Sequence, residues 1–404
     1  MERIYLDHNA TTALDPEVLE AMLPFLRSGF GNASSAHADG RQARAAVDEA
    51  RSQVAELIGA QPREIVFTSG GTEADNHALR GVLELARVPE GGTPHLIVSA
   101  VEHPAVLAVA QHLEKQGVRV TYVAVDPQAR VDPDAVRAAL TDETVLVSVM
   151  LANNEVGTIQ PVQEIAAIAR ARGILVHTDA VQAAGRLPVD VQELGVDLLS
   201  ISGHKIYGPK GIGALYIRRG TRIAPLLHGG HQERRRRGGT ENVPGIVGMG
   251  VACRLARERL ATIPDREREL RDRLEAGIRQ QVPHVRFNGH PTERLPNTLN
   301  LGFNFVEGEA LLMNLDFEGI AISTGSACSS GDLEPSHVLM AMQIPVEEAH
   351  GSLRFSLGKE TTSEQIDRTI AAVVRVVERV RALSPMYADF KRQQAAQETQ
   401  AHAR

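Results

Sequence analysis

Residues 174–205, ILVHTDAVQAAGRLPVDVQELGVDLLSISGHK, carry the clearest indication of the fold. Two short apolar runs in it, ILVHT and DLLSI, each lead directly into polar residues that can do chemistry. The first run ends at Asp179, and the second is followed by Ser202, Gly203, His204 and Lys205. Runs that are this short and this continuously apolar are typical of parallel strands covered on both faces. The stretch therefore predicts two neighbouring strands of a parallel sheet with reactive side chains at their carboxyl ends.

The same pattern repeats outward from this stretch. Five further apolar runs are EIVFTS, HLIVSA, VRVTYVAV, TVLVSVML and GALYIR, with Ala-rich helical segments between most of them. Alternating strands and helices with short connections predict an α/β fold, a mostly parallel seven-stranded sheet flanked by helices. After Leu260 the sequence pattern changes to that of charged amphipathic helices and mixed strands, which predicts a smaller α+β domain. We expect a large domain over residues 15–260, a small domain over 1–14 and 261–390, and a frayed polar tail over 391–404.

A single helix near the carboxyl end of the chain illustrates the expected local signals. The segment from about Thr362 to Leu383 has a buried stripe at helical spacing, and Pro385 follows its end. Thr361 and Glu364 have the spacing of a capping box, which places the start of the helix.

Composition excludes several function classes. The 404 residues carry 43 Lys and Arg against 50 Asp and Glu, a formal charge of −7, which argues against nucleic-acid and membrane-surface binding. No apolar run approaches the ~18 residues that a membrane-spanning helix needs. Two cysteines cannot build a disulfide framework or a structural zinc site, so we expect a reduced, cytoplasmic compartment and no metal. His177 lacks a second metal ligand at a convincing spacing and is expected to pack in the interior.

Five strand ends deliver polar residues to one edge of the predicted sheet, where open α/β sheets bind ligands. After EIVFT, the loop Ser69-Gly70-Gly71-Thr72 leads into a predicted helix, and the backbone N–H groups at a helix start can bind an anion. A tight turn with a Thr cap explains this loop sequence equally well.

Asp179 is either a helix cap or a negative charge that faces a cationic ring nitrogen. A strand-end Lys such as Lys205 suits a Schiff base or a phosphate. His103 either packs in the core or stacks on a flat cofactor. Together they point to pyridoxal phosphate.

The two cysteines have opposite surroundings. Cys253, in GMGVACRLARERL, has the apolar neighbours of a helix core and is interpreted as filler. Cys328, in STGSACSSGDLEPSH, has only small and polar neighbours, which favours an exposed reactive thiol.

The roles of two arginine features are not decided by the local sequence. Arg354 either extends along a strand or binds a carboxylate, and the run Arg234–Arg237 is interpreted as a solvated loop or a subunit contact.

A series of long motifs in one order resembles the cysteine desulfurases of the NifS/IscS kind, which are pyridoxal-phosphate enzymes. The matching stretches are YLDHNATT, FGNASSAHADG, EIVFTSGGTEADN, EHPAVL, ANNEVGTIQPV, HTDAVQAAG, SISGHKIYGPKGIGALYIRRG, GGHQERRRRGGTENVPGIVG, RLPNTLN, VEGEALL, STGSACSSGDLEPSHVL and AHGSLRFSLG. They run nearly end to end, and the SAC loop separates this group from generic aminotransferases. Departures are small: Ser329 follows the cysteine where Thr is frequent, the arginine run is one residue richer, and Gly239 stands where Ala is usual.

The resemblance implies a fold-type-I homodimer and a role for each matching residue. Lys205 would hold pyridoxal 5'-phosphate as a Schiff base and then act as a base, and Cys328 would be the nucleophile. His103 would stack on the cofactor ring, Asp179 would pair with its nitrogen and Gln182 with its ring oxygen. The phosphate would be bound by Gly71, Thr72, Ser202, Gly203 and His204, with Thr240 reaching the phosphate in the other subunit. The substrate would contact Asn9, Asn154 and Arg354.

The implied reaction converts L-cysteine to L-alanine and a Cys328 persulfide. The persulfide would pass to an iron–sulfur scaffold protein or another sulfur acceptor, and the choice between a nitrogenase-dedicated and a housekeeping acceptor stays open. A selenocysteine lyase, or another pyridoxal-phosphate lyase, is the alternative within enzymes. A non-catalytic sulfur carrier is disfavoured by Lys205, because a carrier needs no aldehyde site. A P-loop NTPase is disfavoured because the chain lacks the G-x-x-x-x-G-K-[ST] pattern.

Overall fold

The protein is described by a computed structural model that covers residues 3–324 and 335–402. Its strands are β1 (Ile4–Tyr5), β2 (Ile65–Thr68), β3 (His95–Ser99), β4 (Arg119–Val123), β5 (Thr144–Ser148), β6 (Leu175–Asp179), β7 (Leu198–Ser202), β8 (Gly213–Ile217), β9 (Val285–Asn288), β10 (Thr298–Phe303), β11 (Ile320–Ala321) and β12 (Ser352–Ser356). Its helices are α1 (Pro16–Arg27), α2 (Ala38–Leu57), α3 (Gly71–Glu84), α4 (Pro104–Lys115), α5 (Pro133–Ala139), α6 (Val162–Arg170), α7 (Val191–Leu194), α8 (Val243–Arg259), α9 (Ile263–Gln281), α10 (Gly308–Phe317), α11 (His337–Ala341), α12 (Val346–Ala349), α13 (Ser363–Ala382) and α14 (Pro385–His402).

The central sheet has seven strands in the order β2-β8-β7-β6-β5-β3-β4, and they are the seven apolar runs of the sequence. The five strands from β7 to β4 run parallel, whereas β8 pairs antiparallel with both β7 and β2. All five residues of β3, β7 and β8 are buried, as expected for strands covered by helices on both faces. The predicted α/β architecture is confirmed. Because β5, β6 and β7 lie side by side and point the same way, their carboxyl ends meet at one edge.

A second sheet lies in the remaining part of the chain, with the order β12-β10-β9 and antiparallel pairing throughout. Its core contains Leu270, Leu274 and Ile278, the stripe that the sequence placed on one face of a helix, now α9. Strand β1 joins this part by pairing with β11, so the amino-terminal residues pack far from their sequence neighbours. The domain boundary near residue 260 stays a prediction, because Val338 and Leu339 pack into the large core.

One local prediction is wrong. The capping box of α13 is formed by Thr362 and Gln365, one residue later than expected, because the Thr361 hydroxyl instead accepts a hydrogen bond from the backbone N–H of Gly358 at 3.0 Å. Helix α14 follows it, and its Phe390 stacks on Phe305 with ring centroids 4.6 Å apart. Fraying of residues 391–404 stays a prediction. None of the helices in the described part of the chain combines the length and apolar character needed to cross a membrane.

Candidate active site

A cavity of about 630 Å³ opens at the carboxyl edge of β5, β6 and β7, where the sequence placed the ligand. The large core supplies most of its walls, and β12 together with the residues around β11 closes the other side. Eleven of the fourteen residues predicted for the site line it, namely Asn9, Gly71, Thr72, His103, Asn154, Asp179, Gln182, Ser202, His204, Lys205 and Arg354. A volume of this size suits a cofactor together with a small substrate.

Three predicted residues do not line the cavity. Gly203 lies between two lining residues and is buried in the 3-10 turn Gly203–Lys205 that follows β7. Thr240 is exposed on the loop before α8 and does not reach the cavity of its own chain. Cys328 lies outside the described residues.

Lys205 enters the cavity from the turn after β7, and its amine is held by main chain. Nζ donates to the carbonyl oxygens of Asn9 at 2.5 Å and Ala10 at 2.9 Å. Burial, together with the positive charges of Arg354 and Arg186, lowers the pKa of this amine to about 8. An amine with such a pKa is partly neutral near pH 7, so it can act as a nucleophile or a base.

The pH dependence of cofactor capture tests this amine. Only the neutral form of Lys205 attacks an aldehyde, so capture by the apoprotein should speed up with rising pH and level off above about pH 8, where most of the amine is neutral. The growth of the visible absorption of bound pyridoxal phosphate measures the rate. Lys210→Ala, which changes an exposed neighbouring amine, serves as the control and should leave the profile unchanged. A capture rate that continues to rise up to about pH 10.5, the ordinary pKa of lysine, would show that the pKa of Lys205 is not lowered.

Asp179 and His103 flank the same space. Asp179 is the last residue of β6, and its Oδ1 accepts a hydrogen bond from the backbone N–H of Val181 at 2.8 Å. Burial raises the pKa of Asp179, while His103, that N–H group and Lys205 oppose the shift. His103 caps α4, with Nδ1 accepting from the Ala105 N–H at 3.1 Å, and burial lowers the pKa of its imidazole. The cap holds the imidazole in one orientation.

The start of α3 is a candidate anion site. Gly70 caps this helix without a side-chain hydrogen bond, so the first N–H groups point out of the helix toward the cavity. A side chain at position 71 would place its Cβ 2.9 Å from Val181, which explains the glycine there. His204 lines the same cavity, with Nδ1 3.1 Å from the Thr11 hydroxyl. The helix end and its neighbours fit a phosphate group.

Arg354 comes from the small sheet and faces the cavity from β12. Its Nη2 donates to Oδ1 of Asp7 at 2.8 Å, and its Nη1 donates to the carbonyl oxygen of Asn154 at 3.0 Å. Its Nε is buried and has no hydrogen-bond partner. Asn9 is fixed by donating through Nδ2 to the Thr298 hydroxyl at 2.8 Å. The guanidinium is thus held at the cavity wall by a carboxylate and a carbonyl oxygen.

The loop that carries Thr240 is fastened to the large core. Glu233 forms a buried two-pronged pair with Arg51, at 2.6 and 2.7 Å, and it accepts the backbone N–H of Phe67 at 3.0 Å. Arg237 pairs with Glu73 in the first turn of α3 at 2.9 Å. Arg234 also donates to the Ile65 carbonyl oxygen at 2.6 Å. At least two residues of the run Arg234–Arg237 therefore form contacts within their own chain. They are not simply solvated.

Several polar residues at this site were not predicted from the sequence, among them Asp75 and Asp7. Asp75 lines the cavity from α3, one helical turn after Thr72, and that spacing is the signal that could have found it. Asp7, which orients Arg354, is remote in sequence and could not have been paired with it by any local pattern. His177, predicted to pack inside, is buried between the hydroxyls of Ser148 and Ser200 at 2.8 and 3.0 Å.

Comparison with known proteins identifies the family. Residues 4–369 match the aminotransferase class-V family. A cysteine desulfurase IscS from Dictyoglomus turgidum is 52% identical over 388 residues, covering 96% of this chain and 98% of the relative. A cysteine desulfurase from Nostoc sp. is 53% identical over 403 residues, covering 100% of both chains. The chain belongs to the aminotransferase class-V family, among its cysteine desulfurases.

Solved structures agree with this assignment. A NifS-like protein superposes with a TM-score of 0.87 at 39% identity, covering 93% of this chain and 99% of its own. The structure of SspA in complex with cysteine gives a TM-score of 0.79 at 36% identity, covering 89% of this chain and 100% of its own. The predicted resemblance and the predicted pyridoxal-phosphate dependence are confirmed. The cavity of this cysteine desulfurase family member fits that cofactor, since it offers an uncapped helix start and the buried, unpartnered Oε1 of Gln182.

Proposed function

We propose that this chain removes the sulfur atom of L-cysteine, releases L-alanine and holds the sulfur as a persulfide on Cys328. The observation that carries the proposal is the single cavity in which an amine of lowered pKa, a buried carboxylate and an oriented guanidinium meet, in a chain of this family. Lys205, Asp179 and Arg354 supply these groups. The family relatives named above as cysteine desulfurases support the choice of substrate.

Pyridoxal 5'-phosphate supplies an electron sink for the bond next to the substrate's α-carbon when it is bound. Lys205 would hold its aldehyde, and Gly71, Thr72, Ser202, Gly203 and His204 would hold its phosphate. The uncapped start of α3 supports the phosphate assignment, because its N–H groups and the helix dipole favour an anion there.

Asp179 and His103 would set the protonation of the site. Asp179 would keep its negative charge beside the ring nitrogen, and its nearness to Lys205 and His103 supports an ionised state. His103 would lie on the ring face, where its cap on α4 holds it, and Gln182 would contact the ring oxygen. Once released from the aldehyde, the Lys205 amine would take the proton from the substrate's α-carbon.

Arg354 would bind the carboxylate of L-cysteine, with Asn154 and Asn9 beside it. Its pairing with Asp7 holds the guanidinium plane in place, so little side-chain entropy is lost when the substrate binds. The bound carboxylate and amino group would then fix the substrate's thiol relative to Lys205.

The sulfur step balances without an added oxidant or reductant. The Cys328 thiolate would attack the substrate's sulfur, so that an S–S bond forms while the Cβ–S bond breaks. The electron pair of the broken bond stays on the carbon fragment, which takes a proton and leaves as alanine. The product on the chain is a persulfide, ready for transfer to a second thiol.

The proposal extends to a homodimer and to a sulfur acceptor. Thr240 is exposed and does not line its own cavity, which supports a contact with the cofactor phosphate of a second subunit. The persulfide would pass to an iron–sulfur scaffold protein or another acceptor. A cytoplasmic location suits a reduced thiol of this kind.

The test is product formation by the cofactor-loaded protein. With L-cysteine and a thiol reductant we expect alanine and sulfide in equal amounts over many turnovers. L-Selenocysteine, supplied in a parallel assay, should be processed without dependence on Cys328, because selenium leaves carbon more easily. Elimination to pyruvate, or turnover of selenocysteine alone, would overturn the proposal in favour of another pyridoxal-phosphate lyase.

A further inference from the structure

Asp75 is a carboxyl group in the cavity wall to which the proposed function gives no role. It lies on the buried face of α3, and its side chain contributes to the lining of the cavity. The residue is 1% exposed, and its Oδ1 accepts no hydrogen bond. An ionised carboxylate in such a place is costly, since charge removed from water needs a counter-charge or several hydrogen bonds.

The nearest basic group does not supply that counter-charge. His177 Nε2 lies 3.5 Å from Oδ1 of Asp75, but both ring nitrogens are engaged by the hydroxyls of Ser148 and Ser200. A neutral imidazole satisfies both contacts, because each hydroxyl can donate or accept. Burial lowers the pKa of His177 to about 3, so the ring stays neutral. Within the described residues, no Lys or Arg side chain pairs with Asp75.

Glu102 adds a second buried acid on the same side of the sheet. It is 0% exposed, and its Oε1 accepts from the Ser99 hydroxyl at 2.5 Å and the Met150 N–H at 2.8 Å, while Oε2 has no partner. Burial raises the pKa of Glu102 to about 8. The third acid, Asp179, differs from both because Lys205 and His103 face it.

Three carboxyl groups in one desolvated region cannot all be ionised, because like charges repel strongly where water is excluded. The charge belongs on Asp179, the member that faces cations. We propose that Asp75 is a neutral carboxylic acid that acts as a positioning residue, its dipole stabilising the negative charge of Asp179 at the ring-nitrogen site. The inference rests on the proposed pairing of Asp179 with the cofactor. Burial and the charge of Asp179 both raise the pKa of Asp75, and hydrogen bonding to Ser200 offsets this only in part.

A neutral role and an ionised role predict opposite outcomes for Asp75→Asn. An amide replaces a neutral acid closely, so we expect Asp75→Asn to keep affinity for pyridoxal phosphate and the rate of alanine formation within about threefold of the wild type. Asp75→Ala removes the dipole and should lower both by about tenfold or more. Glu84→Gln, at the exposed end of the same helix, is the matched control for the change in charge and should change neither.

Two spectroscopic readouts separate this role from a purely structural one. The first is the nitrogen-15 resonance of a ring-labelled cofactor bound to each variant. It should report a protonated ring nitrogen in the wild type, Asp75→Asn and Glu84→Gln, and a shift toward the unprotonated form in Asp75→Ala. The second is the infrared band of protonated carboxyl groups at neutral pH, which should lose one component in Asp75→Asn and none in Glu84→Gln.

The outcomes also distinguish this inference from the proposed function. If the ring nitrogen is protonated in the wild type but loses its proton in Asp75→Asn, Asp75 is ionised and the inference is overturned while the role of Asp179 stands. If the wild-type ring nitrogen is unprotonated, the role of Asp179 fails and the inference fails with it. An infrared band that is unchanged in Asp75→Asn also overturns the inference, whatever the cofactor signal shows.

Discussion

Lys205→Ala is expected to abolish covalent capture of pyridoxal phosphate and to lower sulfide release from L-cysteine by at least about 10³-fold. The variant loses the amine that would hold the aldehyde, and it also loses the base for the α-carbon proton, a role worth about 10²- to 10⁴-fold by itself. The backbone should survive the change, because within residues 3–324 and 335–402 the hydrogen bonds of Nζ go to two carbonyl oxygens of the amino-terminal segment. Reduction with borohydride followed by mass measurement would show no cofactor on the variant.

The control for Lys205→Ala is Lys210→Ala. Lys210 lies five residues further along the chain, and its side chain is exposed. It should bind the cofactor covalently and release sulfide at the wild-type rate. A Lys205→Ala protein that still carries borohydride-fixed cofactor, or that keeps more than about a tenth of the activity, would show that another residue holds the aldehyde.

Cys328→Ser is expected to keep the bound cofactor and its visible spectrum while alanine and sulfide release fall by at least about 10³-fold. A hydroxyl is a far weaker nucleophile than a thiolate toward sulfur, so the chemistry stops after substrate binding. The measurement is alanine formed from L-cysteine under reductant, together with the spectral change that substrate binding causes. That change should remain in the variant.

Cys253→Ala is the matched control for Cys328→Ser, since it removes the other thiol of the chain. Cys253 is fully buried in α8, and burial raises the pKa of its thiol, so it is inert at neutral pH. Its replacement should leave activity within about twofold of the wild type, with a modest loss of stability from the vacated core volume. If Cys328→Ser turned over normally, the persulfide role assigned to Cys328 would be wrong.

The sheet could be predicted from the sequence because each strand signal is local. All seven apolar runs became strands, and five of them end in a cavity residue or are followed by one within a few positions, since parallel strands bring their carboxyl ends together. The antiparallel insertion of β8 between β2 and β7 could not be predicted, because the alternation of elements does not encode strand order.

The local sequence did not settle the roles of site residues that come from distant parts of the chain. Arg354 and Asn9 reach the cavity through β12 and the amino-terminal segment. The local sequence left Arg354 between two roles, and only the family resemblance suggested Asn9. Asp75 was missed because a carboxylate on a helix resembles any surface charge until the packing of α3 buries it. The capping box of α13 was misplaced because two overlapping patterns satisfy the same rule, and a loop contact of Thr361 decides between them.

The persulfide on Cys328 is tested by the mass of the cofactor-loaded protein after one equivalent of L-cysteine is added without reductant. We expect one added sulfur atom on the peptide that contains Cys328, formed in step with one alanine and removed by a later thiol wash. We expect no added sulfur on the peptide that contains Cys253. Alanine formed with no sulfur on Cys328, or sulfur found on Cys253 instead, would show that Cys328 does not hold the sulfur.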